Sequence, residues 1–398
     1  MNAYKVKKDI TSDRAVVADD MILTTDMPTS AGSKMLEGYM SLIGSEALAR
    51  LEKAGYPVCG KASVGEFAID LLGESASNGA LVKDGKIKNA AAEIVLANEA
   101  LAALCLDVNG YVRRASAQSG LVSIKPTYGT VSRYGTVPVA CSGETVSLMA
   151  RDSDICAALL AEIVGHDDKD GTSLSSEECL STLASREAPR RVALVSSMCK
   201  DIDENVKAKL DRAVDTLKEQ GIEVCVIDSE IIASSRPAWN VLMSAELCNN
   251  VSRYDGVKYG YRAESFSNID ELYTNSRTEA FGELLKTAII FGSETLSTEN
   301  YMKVYDKCLR VRRVICEEFA RIFGEFDAVI MPACSKLDYS EEEVKANRFV
   351  AFEENFYTAP ASITGLPAVV SGSVQLVGKA FSEGMLLSVA KMLEKEDR

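Results

Sequence analysis

The sequence predicts an α/β protein, on three adjoining segments. "RRVALVSSM", whose last methionine is Met198, is a short apolar run with the character of a buried strand. "DENVKAKLDRAVDTLKEQG" places Val206, Leu210, Ala213, Val214 and Leu217 on one helical face, and "IEVCVID" returns as a second strand. A strand, helix, strand unit of this kind implies parallel pairing through a right-handed crossover.

The remaining elements follow in chain order. "SEALARLEKAG" reads as a helix closed by Gly55 and followed by the strand "YPVCGKA". "KNAAAEIVLANEALAALCL" carries apolar residues on nearly every side, which predicts a buried helix. "SDICAALLAEIVG" predicts a helix capped by Ser153 and ended at Gly165. From Arg236 to Glu325 the pattern is mostly helical, with "STENYMKVYDKCLRVRRVICEEFARIFGEF" as one long amphipathic helix before the strand "DAVIMPA". "SVQLVGKAF" predicts a late strand, and "SEGMLLSVAKMLEKE" a closing helix. No internal repeat or low-complexity tract interrupts the order.

Charge and composition narrow the function classes. Lys and Arg number 44 against 58 Asp and Glu, a net charge of −14, which repels phosphate and argues against direct nucleic-acid or anionic-membrane binding. Eleven cysteines are scattered singly and His166, in an acid-flanked loop, is the sole histidine, so neither a disulfide framework nor a metal site is expected, and no cofactor. The basic start "MNAYKVKKDITSDRAVVADD" leads into no apolar stretch, and no run is long enough to span a bilayer. A cytoplasmic protein is expected.

Several segments together resemble the amidase signature family, in particular the A subunits of the tRNA-dependent amidotransferases that act on glutamyl-tRNA(Gln) or aspartyl-tRNA(Asn). They are "AGSKMLEGY" at 31, "AGYPVCGKASVGEFAID" at 54, "GLVSIKPTYGTVSRYGTV" at 120, "VGHDDKDGTS" at 164, "NNVSRYDGVKYGYR" at 249, "ELYTNSRTEAFGE" at 271 and "SVQLVGKAF" at 373. The resemblance implies one domain over residues 1–398 with the amidase signature fold, a central mixed β-sheet covered by helices on both faces. It also implies that the family's N-terminal helical region is missing and that the strand and glycine-rich turn after "GLPAVVSG" are cut short.

In that family a lysine deprotonates a bridging cis-serine, which activates a serine nucleophile, and backbone N–H groups of the nucleophile's loop hold the oxyanion. Carried over residue by residue, the lysine's segment falls on "ADDMI", with Asp19 at the lysine position. The cis-serine's loop falls on "DGKIKNAAAEI", with Ile87 at the cis-serine. The nucleophile's segment falls on "DVNGYVRRAS", with Tyr111 at the serine while Asp107, Gly110 and Arg113 are kept. Ile87 and Tyr111 stand 24 residues apart, the family's own spacing. The glycines of the cis-serine loop have mostly become Lys, Ile, Asn and Ala, so the loop is expected to be shorter or more helical. The positions that engage the glutamine substrate in the family fall on Ala288 and Asn355; Asn109, Gly110 and Tyr254 remain to line a remnant pocket.

These substitutions support two functional expectations. In the first, the fold survives as a pseudoenzyme that keeps a binding or regulatory role, and Tyr111 plugs the emptied pocket, hydrogen-bonded to a neighbour such as Asp19. In the second, an amidase or amidotransferase with a rewired site uses Tyr111 with Asp19, or one of Cys105, Ser116, Ser119 and Cys141 with Lys88 as base. Either way the resemblance implies B-like and C-like partner subunits.

Overall fold

The computed structural model describes residues 2–394. Its strands are β1 (Tyr4–Lys7), β2 (Val16–Asp19), β3 (Val58–Ala62), β4 (Val82–Lys83), β5 (Lys86–Ile87), β6 (Ala102–Asp107), β7 (Val122–Lys125), β8 (Thr145–Ala150), β9 (Arg191–Val195), β10 (Glu223–Ile227), β11 (Ala328–Pro332), β12 (Ala368–Ser371) and β13 (Val374–Gly378). Eleven of them form one sheet in the order β1-β3-β2-β6-β8-β7-β12-β13-β11-β9-β10. The sheet is mixed: β2 runs parallel to β3 and β6, and β9 parallel to β10 and β11, while the centre from β6 to β11 pairs antiparallel.

Every residue of β6, β7, β8, β11, β12 and β13 is buried, although neighbouring side chains point to opposite faces. Helices therefore cover both faces. The expected α/β unit is present: β9 and β10 pair in parallel, and helix Glu204–Glu219 between them buries all five of its predicted core residues. Asp203 caps that helix by accepting from the Val206 amide.

Three local expectations need correction. Asp152, not Ser153, caps the helix Ser153–Ile163, because its carboxylate reaches the Ile155 amide at 2.9 Å. The long helix before β11 is broken: a π-turn over Tyr301–Tyr305 precedes the helix Asp306–Ile322. The stretch after Lys88 is not one helix but the helix Ala90–Leu96, a turn, and the buried strand β6. An apolar run of that length fits either element, and the sheet's demand for a central strand decides between them. The segment "DGKIKNAAAEI" opens on a hairpin, β4 and β5 joined by the turn Asp84–Gly85 with both residues at positive φ, and continues into the helix Ala90–Leu96. Asp-Gly is the favoured pair for a two-residue hairpin turn.

Candidate functional site

Strand β6 carries the chain through Asp107 into Val108, Asn109 and Gly110, and the helix Tyr111–Ser119 begins at once. Gly110, at φ +76°, makes the corner, and a Cβ there would stand 2.2 Å from Thr358 Oγ1. Asp107 locks the turn: one carboxylate oxygen accepts the Gly110 amide at 2.8 Å and the other accepts Arg113 Nε at 2.9 Å. Arg113 directs its other donors to the Thr358 carbonyl, Gln375 Oε1 and Ser362 Oγ at 2.7–2.9 Å. Burial by itself would raise the Asp107 carboxyl, but the Arg113 guanidinium, helped by Lys125 and Arg114, holds it below its ordinary value.

Tyr111 is buried, and its hydroxyl donates to the Leu72 carbonyl at 3.2 Å, not to Asp19 as expected. Gly73, at φ +120°, lets the chain pass that hydroxyl, since a methyl group there would approach it to 3.3 Å. Burial pushes the phenol's pKa well up, and nearby Asp70, Asp19 and Cys105 push it further.

Asp19 lies at the end of β2 with both oxygens occupied, one by the Met21 amide at 3.0 Å and one by the Leu106 amide at 2.9 Å. These two backbone donors take the place that Tyr111 was expected to fill. Burial nevertheless pushes the Asp19 carboxyl up to about 7, against the two amides that favour the charged form. Ile87 is buried on the hairpin, and its amide donates to the Tyr339 carbonyl at 2.8 Å. That bond and the Lys88 amide on the Leu81 carbonyl, also at 2.8 Å, hold the hairpin in place.

Residues not anticipated from the sequence hold the segment 70–75 across the start of the helix. Arg114, fully buried, donates to the Asp70 carbonyl at 2.8 Å, the Asn109 carbonyl at 2.6 Å and Asn355 Oδ1 at 3.2 Å. Glu74 accepts the Leu71 and Leu72 amides at 2.8 and 2.9 Å, and Asp70 accepts the Ser75 amide and hydroxyl at 2.7 Å. The signal that could have found them is the Arg113–Arg114 pair in the helix that follows the apolar strand β6 of an acidic chain.

Asn109 is bound on both sides of its amide, donating to the Ile69 carbonyl at 3.2 Å and accepting from Trp239 Nε1 at 2.9 Å. Tyr254 is buried with its ring 5.6 Å from Phe67 and 6.1 Å from Tyr259. Ala288 is buried in the helix Glu283–Thr295, and Asn355 donates to Asn240 Oδ1 at 2.7 Å. Lys88 pairs with Asp338 at 3.0 Å, Ser119 donates to the Ala115 carbonyl, and the Cys105 thiol is pushed well up by burial. Cys141 accepts from Asn250 Nδ2 at 3.5 Å, and Ser116 is buried within the helix.

Asp19 gives the site a measurable pH signature. An unfolded aspartate loses its proton at about pH 4, whereas folded Asp19 keeps it to about pH 7. The folded state therefore binds more protons across that window, and stability falls as pH rises through it. Glu66, buried and also raised to about 7, adds the same sign. The thermal midpoint is expected to be lower at pH 7.5 than at pH 5, with a smaller difference in Asp19→Asn; an unchanged difference in the variant would remove Asp19 as its source.

The Amidase family model matches residues 90–387. The A subunit of glutamyl-tRNA(Gln) amidotransferase from Lachnoclostridium phytofermentans is 34% identical over 407 aligned positions, covering 96% of this chain and 82% of the relative. Its counterpart in Caldanaerobacter subterraneus subsp. tengcongensis is 32% identical, covering 98% and 83%. The crystal structure of the same amidotransferase's A subunit from Thermotoga maritima superposes with a TM-score of 0.80 at 26% identity, covering 99% of this chain and 87% of that one. Among the described residues no helix is long and apolar enough to cross a membrane. With its mixed sheet, its β6-to-helix corner and the family's motifs in order, the chain belongs to the amidase family.

Proposed function

We propose that this chain is an A-subunit-like amidase homologue that does not cleave amides at the family's nucleophile position and acts through binding. The observation that carries this reading is Tyr111: a buried phenol whose hydroxyl faces the Leu72 carbonyl, an acceptor with no useful basicity. With its pKa raised above the ordinary value of about 10, it supplies almost no phenolate at neutral pH. Asp19 stands where the family has a lysine, and Ile87 where it has the relay serine. Asn109, Gly110 and Tyr254 are the remnants of the substrate pocket in this reading. Its partners are B-like and C-like subunits, since docking to them needs surface and fold but not the triad, and failure to co-purify with such subunits of the same organism would count against that role.

A second reading, a working amidase or amidotransferase component with a rewired site, is favoured by the 34% identity to an amidotransferase A subunit over 96% of the chain. Ammonia release from glutamine and asparagine separates the two, measured with the purified chain alone and with cognate B and C subunits. The first reading expects no release above buffer in either setting. Release that disappears in Tyr111→Phe would establish the second and make Tyr111 its reactive group.

A further inference from the structure

A groove of about 470 Å³ opens between the C-terminal end of the helix Asp306–Ile322, the end of the helix Val350–Thr364 and the chain that enters β12 and leaves β13. Cys316, Phe319, Ala320, Phe323 and Leu366 give it apolar walls, with the Phe319 and Phe323 rings 5.8 Å apart on the helix side. Its size and its apolar lining are those of a small-molecule pocket.

The polar groups of the lining are accounted for, with one exception. The Thr364 hydroxyl donates to the Pro360 carbonyl at 2.6 Å and accepts the Leu366 amide at 3.4 Å. Burial raises the Cys316 thiol above its ordinary value, so it stays neutral at pH 7. No carboxylate side chain lines the groove. Lys379, exposed just past β13, is the sole charged side chain of the lining and has no ion-pair partner among the described residues. Its four-carbon stem is flexible enough to bring the ammonium over the groove.

We infer that this groove binds a medium-chain aliphatic carboxylate, with the tail along the apolar walls and the head on Lys379. Each methylene that the walls take out of water strengthens binding about fourfold at full burial, a gain that a short acid lacks. A cationic head would meet the Lys379 ammonium with no carboxylate to offset it. The lining shares no residue with the β6-to-helix corner, so the inference holds whichever reading of the nucleophile position is correct.

The probe is decanoate below its micellar range, titrated by calorimetry at about 0.15 M salt, where repulsion from the chain's net charge of −14 is screened. Saturable binding at one site is expected, with hexanoate weaker by about tenfold and decylammonium by about fivefold. Lys379→Glu should weaken decanoate about fivefold while leaving the circular dichroism spectrum unchanged. Ala320→Phe, which fills the groove from the helix side, should weaken it about tenfold and decides the matter if the first variant does not fold. A soaked crystal should show the chain against Phe323 and Leu366. Equal binding of decylammonium, the chain found elsewhere in the crystal, or binding unaffected in a folded variant would each overturn the inference.

Discussion

Asp107→Ala is expected to lower the stability of this protein by about 3–5 kcal/mol, read from urea unfolding. Asp107 and Arg113 are both fully buried, so removing the carboxylate leaves a guanidinium charge in the core with only neutral acceptors around it. The Gly110 amide loses its acceptor in the same step, which loosens the corner that starts the helix at Tyr111. Asp107→Asn retains an acceptor and should cost less than the alanine variant. A loss below about 1 kcal/mol in Asp107→Ala would mean that the Arg113 charge is compensated by other groups.

Gly110→Ala should cost about 2–5 kcal/mol in the same measurement, from two separable causes. A left-handed backbone at φ +76° costs a residue with a Cβ about 1–2 kcal/mol. The new Cβ would also stand 2.2 Å from Thr358 Oγ1 and 2.3 Å from Thr358 Cβ, and overpacking of this kind costs about 1–3 kcal/mol. The helix Val350–Thr364 must shift to admit it, and that helix also supplies the Thr358 carbonyl and Ser362 hydroxyl to Arg113. Gly73→Ala faces only a 3.3 Å contact with the Tyr111 hydroxyl but a backbone at φ +120°, so it serves as the comparison in which backbone strain rather than overpacking sets the loss. Equal losses at the two glycines would show that backbone strain dominates and the Thr358 contact is relieved cheaply.

The α/β unit from β9 to β10 was legible in the residues alone, because its apolar spacing repeats over one long helix flanked by two short strands. The register that sets Asp19, Ile87 and Tyr111 at the triad positions rests on the motifs on either side and belongs to the proposed reading of the site. What those residues touch depends on packing. Tyr111 meets a carbonyl 39 positions away, and Arg113 meets Thr358 across 245 positions, separations that no local periodicity encodes. Asp19 binds the Met21 and Leu106 amides because the strand geometry delivers both to its oxygens, which happens only once β2 and β6 lie side by side. The same dependence split the stretch after Lys88 into a helix and a strand: its composition suits both elements, and the place left open between β2 and β8 selects the strand.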